Sequence, residues 1–467
     1  MLETARAAQC AATAPNWLIR PSRGPNPVIF RPAPRAGTLA HLGVPIKTIA
    51  VQSPVTRTRI RTFWVILFIV LGLLRLMLPV VFGDYPLLVG GLPFMPDFLA
   101  HWTGGRMYTD MPVSMLYEPA TQATMQDRLV GSGGLAWFVS PPYAVWLYLP
   151  FAVMPYGVAA LCWSLINLVL LGIALSWVRP LLTGPMASHR RLFILAFCAS
   201  PAVFETVGSG QDSILALILS LGALRLLLAG RDLQAGALIA LGAFKPQLLV
   251  LVPFMFIAQR RWQALAGSCA AGLAILVCGL LIGGPQLYVS WYDALTSPLY
   301  ANEVQRGQAW MMQSLPALVT GPTGLSFVGP VLLAVGALLV MRTVRRQDMD
   351  PQQAWVSVIM LTIVTSPHVM IYDTVLLLPC LAWMLSRIPW CQLRIPLFAV
   401  FALQWLMPLL HAISETTVLG ASWFAVPWVA IPLTVLTFRT MRWHPVIEPA
   451  VSVVPQGLGP TVHPAAP

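Results

Sequence analysis

Apolar residues run along this chain in blocks, and polar or charged residues are confined to the joints between them. The block 62–82 would be ~32 Å long as a helix at ~1.5 Å per residue, enough to cross a bilayer. Further apolar blocks follow at 143–155, 157–178, 192–207, 213–229, 233–244, 247–258, 263–284, 323–341, 354–366, 372–386, 395–411 and 420–438. They are continuously apolar rather than alternating with a two-residue period, which argues for helices and against an outer-membrane barrel. Blocks such as 233–244 and 247–258 are too short to cross as straight helices. Broken or re-entrant segments are therefore expected. Backbone without helical bonds is tolerated at membrane depth only against protein or a wet cavity, so paired short blocks predict a cavity. The stretch 143–178 reads as two segments but must cross an odd number of times, so 143–155 is expected to be partly re-entrant.

Composition agrees with the pattern. Hydrophobic residues make up 57% of the 467 and charged residues only 9%, against about a quarter charged in soluble domains. The mean hydropathy is +0.75. The fold class expected is an all-α polytopic membrane protein, which excludes a soluble enzyme and a disordered scaffold.

The net charge of +12 would suggest nucleic acid in a soluble protein, but here its placement reads as topology. One set of joints carries Arg179, Arg190, Arg191, Arg231, Arg260, Arg261, Arg342, Arg345, Arg346, Arg387, Arg394, Arg439 and Arg442. The other set, 83–142, 203–213, 244–247, 285–322, 366–374 and 411–419, holds Arg106, Arg128, Lys245 and Arg306 together with most of the 16 acids. Basic joints stay in the cytosol. The second set is thus expected to face the periplasm or exterior from a plasma (inner) membrane, with the N-terminus cytoplasmic. Residues 1–60 are rich in proline and arginine with Glu3 as their single acid. They read as a disordered basic tail, with a transit peptide or an early start codon as alternatives. Residues 443–467 read as a second tail, and 61–442 as the membrane domain. The seven cysteines sit mostly in apolar runs and lack metal-ligand spacing, so neither a zinc site nor a disulfide framework is expected.

The joint 83–142 is long, and long loops usually have work to do. Within it Asp97, His101, Gly104, Gly105 and Tyr108 recur at three- and four-residue spacing, which sets them on one face of a helix beginning near Pro96. Asp97 could instead simply cap that helix. Lys245, between two short apolar blocks and followed by Pro246, is an ionisable group at membrane depth and so a functional candidate; a snorkelling lysine is the alternative. Arg106 and Arg306 are further outward cations, or solvated loop arginines. Gln211 with Asp212, and His368 with Asp373, lie at outward joints where they could bind a ligand or cap helices. Glu205 and Asp110 are other outward carboxylates. Asp348–Met349–Asp350 resembles a metal motif, but Asp350 before Pro351 reads as a helix cap. No strand–turn–helix unit is present to hold a nucleotide.

Five segments in order, PDFLAHWTGGRMY (96–108), SPPYAVWLYLPFAVMP (140–155), GSGQDSILALIL (208–219), GAFKPQLLVLVPF (242–254) and SPHVMIYDTVLLLP (366–379), resemble the polyprenol-phosphate-mannose-dependent mannosyltransferases of glycosyltransferase family 87, within the GT-C superfamily. His101 and Asp212 depart from the residues more usual there, Tyr and Asn. The resemblance implies a GT-C-type bundle of roughly 11–13 transmembrane or re-entrant helices with a long first outer loop. It implies an inverting transfer of a hexose, mannose first, from a polyprenyl-phosphate donor to a glycan or glycolipid acceptor, without cofactor, metal or nucleic acid. In that scheme Asp97 is the catalytic base. Lys245, Arg106 and Arg306 are candidates for the donor phosphate, and His101, Tyr108, Gln211, Asp212, His368 and Asp373 for substrate. A pentofuranosyl donor on the same fold is one alternative. A transporter or flippase of a lipid-linked substrate is another, disfavoured by the long acidic loop and by the lack of an internal repeat.

Overall fold

The computed structural model describes residues 59–67, 70, 88–89, 92–93, 95–130, 136–345, 349–416 and 426–443. Most of the two expected tails, Asp348 and most of the first apolar block lie outside the described residues. The described chain is helical apart from one small hairpin pairing Leu88–Val89 with Leu92–Pro93. The joint 83–142 contributes α1 (Pro96–Asp110) and α2 (Pro119–Val130), and the block after it α3 (Val145–Ala152). The membrane part continues with α4 (Tyr156–Val178), α5 (Arg190–Cys198), α6 (Pro201–Ser209), α7 (Ser213–Leu228) and α8 (Asp232–Leu241). Then come α9 (Val252–Ala258), α10 (Trp262–Thr296), α11 (Leu315–Thr323) and α12 (Val328–Thr343). Last are α13 (Pro351–Thr365), α14 (Leu378–Arg387), α15 (Trp390–Thr416) and α16 (Ala430–Arg442).

Among the described residues, three helices are long and apolar enough to cross a membrane: Tyr156–Leu181, Trp262–Thr296 and Trp390–Met407. The segment Gly184–Cys198 and α6 make a fourth if read as one span bent by 47°. The protein is an all-α polytopic membrane protein. The long helices expose apolar side chains such as Leu281, Ile395 and Phe398 on their outer faces, as lipid contact requires. α13 is buried along nearly its whole length and forms the centre of the bundle.

The short blocks are broken where the pattern predicted. α8 gives way to a 3-10 turn at Gly242–Phe244, the chain passes Lys245, and a second 3-10 turn at Pro246–Leu248 precedes α9. The segment 143–155 contains a turn and the eight-residue α3, ~12 Å long and far short of a span. It lies against α1.

The two sets of joints separate in space. At the basic end, Ser386 Oγ bonds Leu181 O and Thr183 N, Gln353 Nε2 donates to Thr440 O and Trp443 O, and Arg261 pairs with Asp232 at 2.8 Å. α7 runs ~24 Å from Asp212 to that end, and α13 runs ~22 Å back from Asp350 to Ser366. The four breaks at 95–97, 209–213, 242–248 and 366–373 meet at the other end.

Candidate active site

α1 starts at Pro96, as the spacing predicts, but the position before the helix is Met95 rather than Asp97. Met95 is buried in a left-handed conformation, φ 53° and ψ 64°, which costs a non-glycine residue on the order of 1 kcal/mol. Its carbonyl takes the Tyr156 hydroxyl at 3.1 Å. Asp97 therefore sits in the first helical turn with its carboxylate free for other partners. The loop between α6 and α7 closes on this turn. At Gly210 (φ 77°) a Cβ would stand 2.6 Å from both Met95 Cε and Phe98 Cβ, so glycine permits both the turn and the approach. Trp163 Nε1 fixes that loop by donating to Gly210 O at 2.8 Å.

Lys245 is the hub. Its ammonium lies 2.5 Å from Gln211 Oε1, 2.8 Å from Asp212 Oδ1, 3.0 Å from Ser213 Oγ and 3.2 Å from Asp373 Oδ1. It also stands 4.8 Å from the centre of the Tyr372 ring. Three N–H groups thus meet four oxygens, and one positive charge faces two carboxylates. The side chain is 12% exposed and its acidic partners 1%, so it does not snorkel. Asp212 starts α7 without capping it; its second oxygen accepts from Tyr148 at 2.6 Å. Asp373 accepts from Ser213 Oγ at 2.6 Å and, through Oδ2, from Met370 N at 3.0 Å. The acids hold the lysine and are themselves held by neighbouring donors.

Asp97 joins this group through Gln211. The Gln211 and Ser209 side chains hydrogen-bond its carboxylate. Because the Gln211 oxygen is on Lys245, its NH2 is the end that reaches Asp97. Burial raises the pKa of Asp97 above the ordinary 3.8, against the pull of these hydrogen bonds and of Lys245. His101, one turn on, stacks parallel on Tyr148 and places Nε2 3.9 Å from Asp212. Burial lowers its pKa to about 4, so it is neutral near pH 7. His368 Nδ1, like His101 Nδ1, is buried without a hydrogen-bond partner among the described residues; Asp373 and Lys245 both act on the His368 ring electrostatically.

The structure thus gathers Asp97, His101, Gln211, Asp212, Lys245, His368 and Asp373. It does not bring the other candidates to them. Arg106 lies ~13 Å and Tyr108 ~16 Å along α1 from Asp97. Arg106 donates to Ala152 O at 3.1 Å, pairs with Asp110 at 2.5 Å and lies over Trp102. The side chain of Arg306 lies outside those described. Gly104 and Gly105 are approached by Phe138 and by α3. Asp350 caps α13 by accepting from Gln352 N. Sequence reasoning missed Tyr148, Ser213 and Tyr372. Tyr148 is hidden inside an apolar run, whereas the other two sit next to residues already singled out. Among the described residues, no three His, Cys, Asp or Glu side chains form a metal-binding group; Lys245 fills the space between Asp212 and Asp373 that a cation would need.

A lysine-centred polar cluster thus stands where broken helices meet, beside the Asp97 carboxylate on α1. The model of Glycosyltransferase family 87 matches residues 138–367, and through this region the chain is similar to that family. The match includes Tyr148, Gln211, Asp212, Ser213 and Lys245, with Asp97 before it and Asp373 after it. The chain is also 25% identical, over 326 residues, to the polyprenol-phosphate-mannose-dependent alpha-(1-2)-phosphatidylinositol pentamannoside mannosyltransferase of Mycolicibacterium smegmatis. That alignment covers 66% of this chain and 76% of the relative. The protein is a membrane glycosyltransferase.

Proposed function

We propose that this enzyme moves a hexose, mannose first, from a polyprenyl-phosphate carrier to a hydroxyl of a glycan or glycolipid, at the outer face of the plasma membrane and with inversion. The name of the mycobacterial relative supports the donor class. The observation that carries the reading is the connection of Asp97 to Lys245 through one side chain, Gln211. A base and a cation then belong to one hydrogen-bonded group. Asp97 takes the acceptor proton as the hydroxyl oxygen attacks the anomeric carbon. The bond from that carbon to the phosphate oxygen breaks, and the phosphate leaves with the electron pair. One carboxylate serves a single displacement, whereas retention normally needs a second, nucleophilic one. Lys245 stabilises the departing phosphate. Because its N–H groups are already taken, a phosphate oxygen must replace an acceptor. Gln211 and Ser213 are neutral and release more readily than the two carboxylates.

The test is Asp97→Asn in membranes supplied with labelled polyprenyl-phosphate mannose. Asn keeps the size and removes the proton acceptor. Insertion and donor binding should persist while transfer falls by ~100-fold or more. Transfer at the wild-type rate would overturn the assignment.

A further inference from the structure

Tyr148 has no part in the transfer as described, yet it touches both halves of the site. It is fully buried on α3. Its hydroxyl donates to Asp212 Oδ2 at 2.6 Å, and the other oxygen of that carboxylate holds Lys245 at 2.8 Å. Its ring lies flat on His101, with centroids 4.3 Å apart and planes 1° from parallel. His101 is one helical turn from Asp97. α3 is itself locked against α1, since a Cβ at Gly105 would meet Ala152 Cβ at 2.9 Å.

We propose that Tyr148 is a positioning residue for glycosyl transfer, fastening the helix that carries Asp97 to the cluster that carries Lys245. The proposal rests on reading Asp97 as the base and Lys245 as the phosphate's partner. The hydroxyl sets the carboxylate: with Oδ2 satisfied, Asp212 keeps Oδ1 on Lys245. Without that donor, a buried carboxylate oxygen has no partner and the group turns to find one. The ring sets the helix: the imidazole is neutral and offers a flat face, so the stack fixes orientation without adding charge. Neither contact involves a reacting atom. Their effect is to keep base and cation at one separation, and a misplacement of ~1 Å at a reacting centre can cost ~100-fold in rate.

Tyr148→Phe separates the hydroxyl from the ring, because phenylalanine keeps the stack. Turnover per folded full-length protein is measured in native membranes with labelled polyprenyl-phosphate mannose, beside thermal unfolding in detergent. The expected result is a ~10- to 100-fold fall in kcat with KM for the donor within ~3-fold, and a lowered unfolding temperature because a buried Asp212 oxygen loses its donor. In an Asp212→Asn background the same change should cost less than ~2-fold, since that link is already weakened. Wild-type kcat in Tyr148→Phe, or losses that simply multiply in the double variant, would overturn the proposal. Asp97→Asn run alongside keeps the two ideas apart. Inactive Asp97→Asn with fully active Tyr148→Phe removes the tether and leaves the base standing. Asp97→Asn at the wild-type rate removes the base, and the tether with it.

Discussion

At the scale of single residues, the structure changes what a substitution at Lys245 means. From the sequence, Lys245→Met would merely remove a charge. In the fold it strands Asp212 and Asp373 on either side of a methionine, both 1% exposed. Removing one partner of a buried pair costs about 3–5 kcal/mol, so Lys245→Met should unfold at distinctly lower temperature. Lys245→Met combined with Asp212→Asn should recover part of that loss, and unfolding in detergent reads both. The combined variant, at normal protein levels, is the one in which lost turnover reports on the phosphate. Lys245→Arg keeps the charge but not the shape and should retain part of the activity.

Asp97 carries a pH expectation at the same scale. A base acts in its ionised form, and burial raises the pKa of this carboxyl above 3.8. Activity should therefore fall on the acid side at a higher pH than an ordinary carboxylate would give. A pH profile of kcat/KM measures it; an acid limb at or below 3.8 would contradict the upward shift of Asp97.

At the scale of elements, α8 and α10 approach each other backbone to backbone. A Cβ on Gly236 would collide with the Ala264 carbonyl, and one on Gly267 with the Leu233 carbonyl. Ser268 Oγ also donates to Gly236 O at 3.0 Å. Lipid supplies no hydrophobic drive between helices, so small residues that let backbones approach carry the association. The broken end of α8 holds Lys245, so this contact also sets where the ammonium stands. Gly236→Val should separate the helices, costing about 1–3 kcal/mol of stability, and should lower turnover along with it. Unchanged unfolding and turnover would show that the contact is dispensable.

At the scale of the whole molecule, the expected orientation can be tested on two exposed positions. Ala120 lies in the first turn of α2 in the joint 83–142, and Arg345 follows α12 at the basic end. In a cysteine-free background, Ala120→Cys should react with an impermeant thiol reagent added outside, and Arg345→Cys only when the reagent reaches the cytosol. The reverse pattern would invert the topology and place the site in the cytosol.

Much of this was legible in the sequence. The apolar blocks, the broken pair around Lys245, the incomplete crossing at 143–155 and the helix starting at Pro96 follow from local rules: bilayer thickness, hydrogen bonding in lipid, and proline at a first turn. Chain order within the five segments pointed to the family and to most of the residues that gather. What local pattern could not carry was distance between segments. Periodicity placed Tyr108 on the helix with Asp97, and the helical rise of ~1.5 Å per residue sets it, like Arg106, far along α1 from Asp97. It offered Gly104 and Gly105 to a ligand, whereas the tertiary structure fills that face with Phe138 and α3. It suggested caps for Asp97 and Asp212, and only folding showed that Met95 precedes the helix and that Asp212 faces a lysine 33 positions later in the chain. Tyr148 looked like one more apolar-run aromatic until its hydroxyl met Asp212. The sequence by itself determined which blocks are apolar and where they must break, because those depend on neighbours along the chain. Which charges meet at the breaks was decided by packing, because ion pairs and stacks form between segments that only the tertiary fold brings within a few ångströms.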